Sequence, residues 1–383
     1  MSTDEPLLSI EDAHVHFENN TLMGLGGSET VRAVDGVSLE IPENDVVVLV
    51  GESGCGKTTL GKTAVALQRP TGGAVTYRGQ DVWEAKKRSE SLNPVKRLSN
   101  DESQIPWGEI RRSLQIIHQD PGSSMNSNYT VESALEDPLK RWQPNLSKED
   151  RQARIFAMLD RVGMTPSEDY ANRYPHQLSG GEQQRVALIR ALLMNPDLIL
   201  ADESISALDV SLRVEMMDLM LELQDLFNTS YLFISHNLSN AKYIASKADG
   251  RIGIMYLGEL VEIGPVEQII DDPQHPYTKV LKWATPDLLS KNVEQPPLRS
   301  LDVPDPSNPP SGCRFHTRCP EARELCKRES PPMEHTSNEH RAACFRTDSI
   351  SEYWQSEELD DGLSPASELD DTSATNTADS ESD

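Results

Sequence analysis

The residues best suited to chemistry form a glycine-rich stretch at 51–58, which reads GESGCGKT. It matches the pattern G-x-x-x-x-G-K-[ST] and lies between a predicted strand and a predicted helix, the context that a phosphate-binding loop requires. Lys57 can reach the β- and γ-phosphates of a nucleotide, and Thr58 can offer its hydroxyl to Mg²⁺. Three glycines allow backbone N–H groups to approach phosphate oxygens without a Cβ atom in the way: Gly51, Gly54 and Gly56. The alternative, a chance glycine-rich turn, does not account for the flanking strand and helix.

Two acids, Asp202 and Glu203, end the apolar run LILADE at 198–203. Carboxylates at the end of a buried strand are costly unless they are paired or bind a metal. Asp202 can join the coordination shell of Mg²⁺, and Glu203 can act as general base toward an attacking water. Taken alone, the pair could instead cap the N-terminus of a helix. The phosphate-binding loop elsewhere in the chain favours the catalytic interpretation.

A second phosphate-binding helix start is predicted at LSGGEQ, residues 178–183. Ser179 and two glycines at the start of a helix form an anion-binding terminus distinct from the first loop. Two such termini in one chain suggest that two copies share each nucleotide. Ser179 could also be a plain N-cap in a capping box with Glu182, and the two roles are compatible. His236 follows another predicted strand, where an imidazole is either functional or structural.

Short apolar runs without alternation predict strands that are buried on both faces of a parallel sheet. These runs lie at 46–50, 114–117, 198–201 and 231–234. Helical patterns lie between them, such as the one at 181–194, so the chain is predicted to be an α/β protein. The highly charged segment 83–109 is interpreted as a surface insertion. From about residue 287 the chain becomes rich in proline, and regular structure is predicted to end there.

The chain is strongly acidic, with 62 Asp and Glu against 36 Lys and Arg and a formal charge of −26. This balance excludes a uniformly basic nucleic-acid-binding surface. The last 37 residues, 347–383, contain 12 acids and no Lys or Arg, and they are predicted to be a disordered acidic tail. Two explanations for the overall negative charge remain: adaptation of the protein to high salt, or ordinary drift of the sequence toward an acidic composition. Since no signal peptide or membrane-spanning run is found, a cytosolic location is expected.

Four of the five cysteines cluster near the C-terminus, whereas Cys55 lies inside the phosphate-binding loop. The four are Cys313, Cys319, Cys326 and Cys344. Disulfides are disfavoured in the cytosol, so four close thiols suggest a metal or cluster site. The spacing contains no C-x₂-C knuckle, which counts against structural zinc. A [4Fe–4S] cluster, free structural thiols and zinc remain the alternatives.

Together these motifs resemble those of ABC-transporter ATPase subunits over residues 7–264. GESGCGKT resembles that family's Walker A, LILADE its Walker B, LSGGEQ its signature and SALD, ending at Asp209, its D-loop. Gln119 resembles the Q-loop glutamine that touches Mg²⁺, and His236 the switch histidine. The resemblance implies a P-loop ABC ATPase cassette with a RecA-like core and a helical subdomain. Phe17 is the candidate for stacking on adenine, with core packing as the alternative, and 19–30 is read as a loop insertion.

The same resemblance implies that ATP and Mg²⁺ bind in a head-to-tail dimer with a second ABC ATPase subunit, identical or related. The residues implied to contact ATP in the same subunit, besides Phe17, are Gly51, Glu52, Ser53, Gly54, Cys55, Gly56, Lys57, Thr58 and Thr59. Those implied to contact ATP on the partner subunit are Ser179, Gly180, Gly181, Glu182 and Gln183. Mg²⁺ is implied to lie against Thr58, Gln119 and Asp202.

The C-terminal part resembles the extension found in the oligopeptide/dipeptide branch of ABC importers. The resemblance rests on HPYT at 275–278 and GCRFHTRCP at 312–320, and it implies a four-cysteine [4Fe–4S] site. It divides the chain into a cassette at 1–270, a loop-rich extension at 271–346 and the acidic tail at 347–383. It also implies two membrane permeases, an extracellular substrate-binding protein and a peripheral position on the cytoplasmic side of the membrane.

Peptides are the expected cargo, with sugars or nickel as alternatives. A soluble ABC ATPase acting on nucleic acid or ribosomes is a rival class, but tandem cassettes or a long coiled coil would be expected there. An iron–sulfur sensor with a vestigial cassette is opposed by the intact Lys57, Asp202 and Glu203.

Overall fold

The computed structural model describes residues 5–19, 29–91, 104–285, 298–337 and 339–359. The chain divides into two units, Met1–Leu260 and Val261–Asp383. The first unit contains, in chain order, β1 (Leu8–Asn19), β2 (Glu29–Ile41), β3 (Val46–Val50), α1 (Lys57–Ala64), β4 (Gly72–Tyr77), β5 (Gln80–Asp81), α2 (Val82–Glu90), α3 (Trp107–Ser113), β6 (Leu114–Ile117), α4 (Pro121–Ser124), α5 (Val131–Trp142), α6 (Lys148–Arg161), α7 (Ser167–Ala171), a 3₁₀ turn (Pro175–Gln177), α8 (Gly180–Leu192), β7 (Leu198–Asp202), α9 (Val210–Phe227), β8 (Ser230–Ser235), α10 (Leu238–Ala248) and β9 (Arg251–Tyr256).

A parallel sheet with the strand order β9-β3-β8-β7-β6 forms the centre of the first unit. Every residue of β3 and β7 is buried, as expected for strands covered on both faces. The four predicted strands are therefore confirmed, with β7 and β8 slightly longer than predicted. Because the strands are parallel, their carboxyl ends meet at one edge of the sheet, and the loops that follow them can converge there.

A second, antiparallel sheet has the order β2-β1-β4-β5. Strand β1 contains register shifts between residues 10 and 13, 13 and 14, and 15 and 16, so several of its side chains are re-aimed by bulges. At the two ends of the predicted loop insertion, 19–30, β1 continues to Asn19 and β2 begins at Glu29. Residues 20–28 lie outside the described residues.

Helices α5 to α8 form the predicted helical subdomain. Thr130, Ser147 and Ser179 start three of these helices by accepting backbone N–H groups with their hydroxyls. The predicted surface insertion at 83–109 is helical at both ends, and Lys86 lies over the rings of Trp83 and Trp107 at 5.1 and 5.7 Å. Its centre, 92–103, lies outside the described residues.

The second unit is built around short strands and helices. They are β10 (Glu259–Pro265, which begins at the end of the first unit), α11 (Val266–Asp271), α12 (Pro276–Trp283), α13 (Glu324–Arg328), β11 (Glu334–His335), β12 (Arg341–Ala342) and 3₁₀ turns at Phe345–Thr347 and Glu352–Gln355. Strand β12 pairs antiparallel with both β10 and β11. The prediction that regular structure ends near residue 287 is wrong, since α13 and two short strands follow.

A buried carboxylate, Glu262, explains why the unit boundary falls ten residues before the predicted one at 270. Its side chain is 0% exposed and accepts hydrogen bonds from the backbone N–H groups of Gln274 at 2.7 Å and His275 at 3.0 Å. The Thr278 hydroxyl and the His340 ring, the latter at 2.7 Å, complete its shell. A buried carboxyl group needs hydrogen-bond partners to offset its lost hydration. The part of β10 from Val261 onward therefore groups with the C-terminal unit.

The predicted start of the disordered tail at 347 is also wrong. Tyr353 is only 4% exposed, and its hydroxyl donates to the carbonyl of Glu321 at 2.7 Å. Arg323 donates to the carbonyl of Ser356 at 2.8 Å, and Leu359 is buried. The prediction is based on the acid-rich composition of the whole tail and therefore misses the few apolar side chains that anchor its first part. Residues 360–383 lie outside the described residues.

Truncation after Leu359 should leave the extension intact, whereas truncation after Arg346 should loosen it. The shorter chain loses Tyr353, whose burial contributes roughly 1.5–3 kcal/mol. It also loses the acceptors of the Glu324 and Leu325 backbone amides, which are the Glu357 carbonyl and the Ser356 hydroxyl. Hydrogen exchange of those two amides should accelerate only in the shorter chain. Equal exchange in both truncated chains would show that 347–359 is dispensable.

Candidate functional site

The glycine-rich loop connects β3 to α1 in a conformation that requires glycine at two positions. A Cβ atom on Gly56 would lie 2.0 Å from the carbonyl oxygen of Ala33, and one on Gly51 would lie 2.2 Å from that of Met255. Gly56 also has a φ of +103°, which glycine adopts readily. Gly54 is different, since nothing lies within 4 Å of the Cβ position. Backbone carbonyls therefore pack closely against one side of the loop, and the other side is open, as phosphate binding requires.

Lys57 points into this loop. Its side chain is 4% exposed, and Nζ donates to the carbonyl oxygens of Gly51 and Glu52, both at 2.9 Å. No side chain caps α1, so its first N–H groups are available to an anion. Cys55 is buried in the loop, and that burial raises its thiol pKa. The ammonium and the helix start together can hold the phosphates of a nucleotide.

Thr58 and Asp202 meet across the edge of the parallel sheet. The Thr58 hydroxyl donates to Asp202 Oδ1 at 2.9 Å. Burial raises the pKa of Asp202, and the Thr58 hydrogen bond opposes this effect. A hydroxyl and a carboxylate are oxygen ligands of the kind that Mg²⁺ prefers. The pair fits a magnesium ion that accompanies a nucleotide.

Glu203 lies at the centre of a cluster drawn from three loops. Its Oε2 accepts a hydrogen bond from Gln119 Nε2 at 3.3 Å and lies 3.6 Å from His236 Nδ1. The helix-cap alternative for Asp202 and Glu203 is wrong, because the next helix begins at Val210 and is capped by Asp209. His236 is 56% exposed on its side chain, which does not fit a buried structural role. The cluster can accept a proton from a water molecule.

The start of α8 has both predicted features, a capping box and open glycines. Glu182 N donates to Ser179 Oγ at 3.4 Å, and Ser179 N donates to Glu182 Oε2 at 2.7 Å. Tyr170 also donates to Glu182, at 2.8 Å. Burial by itself raises the Glu182 pKa, but these hydrogen bonds leave it lowered. A Cβ atom added to Gly180 would meet nothing within 4 Å, and one added to Gly181 would meet its nearest atom at 3.8 Å.

The side chain of Gln183, the last residue of the motif, contacts its own chain, because Nε2 donates to the carbonyl of Pro175 at 2.9 Å. The first turn of α8 is therefore fixed by its own chain and left uncovered at its glycines.

Asp209 caps α9 by accepting hydrogen bonds from Leu212 N and Ser211 Oγ, both at 3.0 Å. The first of these hydrogen bonds contributes most to a lowered pKa for this carboxyl. Beside it, Val210 and Leu212 expose apolar side chains. Arg213, which the sequence interpretation missed, donates to the carbonyl of Leu208 at 2.8 Å. Its position one turn after Asp209 was the available signal for a residue that holds this loop.

Phe17 lies in β1 opposite Val31 and is 44% exposed. The core-packing alternative for Phe17 is therefore wrong. Its exposed ring remains a candidate for stacking on a base.

The four clustered cysteines line one apolar pocket in the second unit, together with Phe315, Tyr353 and His275. All four are free of disulfides. Burial raises the pKa of Cys319 to about 12 and that of Cys344 to about 11. Burial also lowers the pKa of His275 to about 4, so its ring is neutral. Such thiols would ionise only beside a strong positive charge.

The spacing of the sulfurs bears on which metal the pocket fits. In a tetrahedral zinc site with Zn–S bonds of about 2.3 Å, the sulfurs lie about 3.8 Å apart. Among the described residues, no three of these cysteines bring their sulfurs within 4.8 Å of one another. In their described positions the four sulfurs therefore do not form a ready-made tetrahedral zinc site.

The fold and the phosphate site define a P-loop ATPase. Residues 34–206 match the family model described as ABC transporter, and residues 261–326 match the model described as oligopeptide/dipeptide transporter, C-terminal region. The chain belongs to the ABC transporter family of ATP-binding proteins, in the branch that carries this C-terminal region. It is thus an ATP-hydrolysing cassette, for which ATP and Mg²⁺ are the general ligands. In the parts of the chain that the structure describes, no helix has the length and apolar character to cross a bilayer.

Similar proteins support this assignment over most of the chain. The oligopeptide transport ATP-binding protein AppF of Bacillus subtilis is 37% identical, with 90% of this chain and 98% of that protein covered. The dipeptide transport ATP-binding protein DppF of Haemophilus influenzae is 38% identical, with 84% and 90% covered. A dimeric ATP-binding cassette bound to ADP and phosphate is 27% identical, with a TM-score of 0.52 and 68% and 98% covered.

Proposed function

We propose that this chain hydrolyses ATP to drive the import of peptides through a membrane permease complex. The observation that carries the proposal is the presence, in one chain, of a complete phosphate site and the 261–326 region of oligopeptide/dipeptide transporters. The relatives named for oligopeptide and dipeptide transport are covered over 98% and 90% of their lengths. Sugars and nickel remain the alternative cargoes within the same branch.

Each residue of the site has a proposed role. Lys57 and the loop amides bind the β- and γ-phosphates, while Thr58, Asp202 and Gln119 hold Mg²⁺, which neutralises phosphate charge when bound. Glu203 accepts the proton of the attacking water. The 3.6 Å separation of His236 from Glu203 supports a role in orienting that carboxylate or the γ-phosphate. Phe17 stacks on the adenine.

The signature residues are proposed to act on a second subunit. Ser179, Gly180 and Gly181 would contact the nucleotide held by the partner's phosphate loop, because their uncovered helix start offers N–H groups to an anion. Glu182 and Gln183 brace this start from within their own chain. Asp209 and the exposed Val210 would lie at the same junction. The second ATPase subunit is identical or related.

Two permease subunits and an extracellular substrate-binding protein are the further proposed partners, with this chain bound peripherally on the cytoplasmic face of the membrane. The rival function, action on nucleic acid or ribosomes, conflicts with the charge of −26. ATPase assays separate the two functions. Peptide-loaded binding protein should stimulate hydrolysis in the reconstituted permease complex, whereas DNA, RNA and ribosomes should have no effect. Stimulation by nucleic acid alone would refute the transport proposal.

We also propose that Cys313, Cys319, Cys326 and Cys344 hold a [4Fe–4S] cluster. The apolar pocket that all four residues line and their unpaired thiols support it. The backbone N–H of Cys313 donates to the carbonyl of Cys326 at 2.8 Å, which links the two halves of the motif. With few other elements in this segment, a bound cluster would stabilise its loops.

Anaerobically purified protein is therefore expected to be brown and to contain about four irons per chain. Cys326→Ser should remove most of the colour while leaving ATP affinity unchanged, because the ATP site lies in the other unit. Cys55→Ala is the matched control and should keep the colour. Iron and zinc analysis decides the matter: stoichiometric zinc without iron, or no metal, would overturn the cluster proposal and leave the transport proposal intact.

The acidic surface is proposed to suit a high-salt cytoplasm. Of the 36 basic residues only 13 are Lys, and the formal charge is −26. Self-repulsion of this size is relieved by screening. The melting temperature should rise steeply between low and molar KCl, and a flat dependence would favour ordinary acidic drift.

A further inference from the structure

Two histidines and an aspartate converge on the antiparallel sheet of the first unit. His14 Nδ1 and His16 Nε2 each lie 2.9 Å from the same oxygen, Asp35 Oδ1. One ligand atom from each of the three residues lies within 4.8 Å of the other two. The ATP site and the cysteine pocket use none of these side chains.

The irregular pairing of β1 and β2 creates this convergence. His14 lies directly opposite Asp35, and the register shifts on either side of it, after Ala13 and after Val15, turn the strand locally. His14 and His16 project from the same face because they are two residues apart. Bulges of this kind often re-aim side chains at functional positions.

The chemistry of the three groups suits a divalent transition metal. Two imidazole nitrogens and one carboxylate oxygen favour zinc, nickel, cobalt or copper, whereas Mg²⁺ favours oxygen ligands. With bonds of about 2.0–2.1 Å in a tetrahedral site, ligand atoms lie roughly 3.4 Å apart. The observed 2.9 Å contacts would need to open by about half an ångström.

The surroundings orient these ligands and leave a path from solvent. Arg32 lies 3.6 Å from Asp35 Oδ2, so the other oxygen, Oδ1, faces the histidines. Asp12 Oδ1 lies 3.3 Å from His14 Nε2, the ring nitrogen that points away from Asp35. A carboxylate in this position fixes the ring of a metal-bound histidine. Both rings are partly exposed, so an ion can reach the site.

We propose that His14, His16 and Asp35 bind one divalent transition-metal ion, separate from the Mg²⁺ of the nucleotide. Two backbone hydrogen bonds connect the site to the phosphate loop. Asp35 N donates to the carbonyl of Gly258 at 2.9 Å, and Gly258 N donates to the carbonyl of Cys55 at 2.9 Å. The bound ion would join β1 to β2, and the Ala33 carbonyl of β2 lies directly behind Gly56 of this loop.

The test is a calorimetric titration of the untagged, full-length protein with Ni²⁺ in nucleotide-free buffer. The double variant His14→Asn/His16→Gln keeps amide donors toward Asp35 but removes both imidazole ligands. It should bind one equivalent fewer, with any remaining affinity at this position at least about 100-fold weaker. His335→Ala, which removes an exposed imidazole in the second unit, is the control and should bind as the wild type does.

A second readout keeps the test independent of the cysteines and of folding. Co²⁺ at this site should give weak visible bands without the intense charge-transfer absorption of thiolate ligands, and the single variant His16→Gln should lose them. If wild type and double variant take up the same number of Ni²⁺ equivalents, or if wild type binds only at millimolar concentrations, the cluster is a hydrogen-bonded His–Asp–His network and the metal-site proposal is refuted.

Discussion

Glu203→Gln is expected to reduce ATP turnover by about 10²–10⁴-fold while ATP affinity stays within a few fold of wild type. Glu203 is held at the edge of the sheet by its backbone N–H, which donates to Ile234 O at 3.2 Å, and its Oε2 accepts from Gln119 at 3.3 Å. A neutral amide fills the same space but does not accept a proton from water. The substitution therefore separates the chemical step from nucleotide binding.

Steady-state phosphate release and equilibrium ATP binding measure these two effects in the same preparation. Glu222→Gln is the matched control, because Glu222 lies on the exposed face of α9 and pairs only weakly with Arg161, at 3.4 Å. Its turnover should equal that of wild type. A loss of less than tenfold for Glu203→Gln would show that another group accepts the proton.

Lys57→Ala should act earlier, on nucleotide binding itself. Hydrogen bonds to charged groups contribute about 1.5–3 kcal/mol, which corresponds to roughly 10–150-fold in affinity. The Lys57 ammonium already lies among the loop carbonyls at 2.9 Å, so no large movement is needed for it to meet a phosphate. Calorimetric titration with ATP–Mg²⁺ measures the change.

Lys242→Ala removes an exposed ammonium on α10 and serves as the control for net charge. Because Lys57 also supports the loop, the melting temperature of each variant should be compared without nucleotide. Unchanged ATP affinity in Lys57→Ala would contradict the assignment of the phosphate site.

The ATP site could be predicted from sequence because its constraints are local. Gly56 has a φ of +103°, which glycine adopts readily, and Ser179 with Glu182 forms a capping box within four residues. Continuous apolar runs likewise predict parallel strands, and parallel strands bring Asp202 and Thr58 to one edge. Pattern and spacing carry this information without knowledge of the rest of the fold.

Other features depend on pairings that no local pattern records. Glu262 is an acid in a short strand, and only its partners near residues 274–278 and His340 make its burial possible. Tyr353 folds onto the extension although its segment is rich in acids. The convergence of His14 and His16 on Asp35 follows from irregular strand pairing. Each of these arrangements is decided by tertiary packing.

The central claim is tested most directly by ATP-driven peptide uptake into vesicles that contain this chain and its membrane partners. Labelled short peptides, delivered with the external binding protein, should accumulate only when ATP–Mg²⁺ is present on the side that carries this chain. Accumulation should be lost with Glu203→Gln and retained with Glu222→Gln. Uptake that persists with Glu203→Gln, or a complex that hydrolyses ATP at the wild-type rate and accumulates no peptide, would contradict the account.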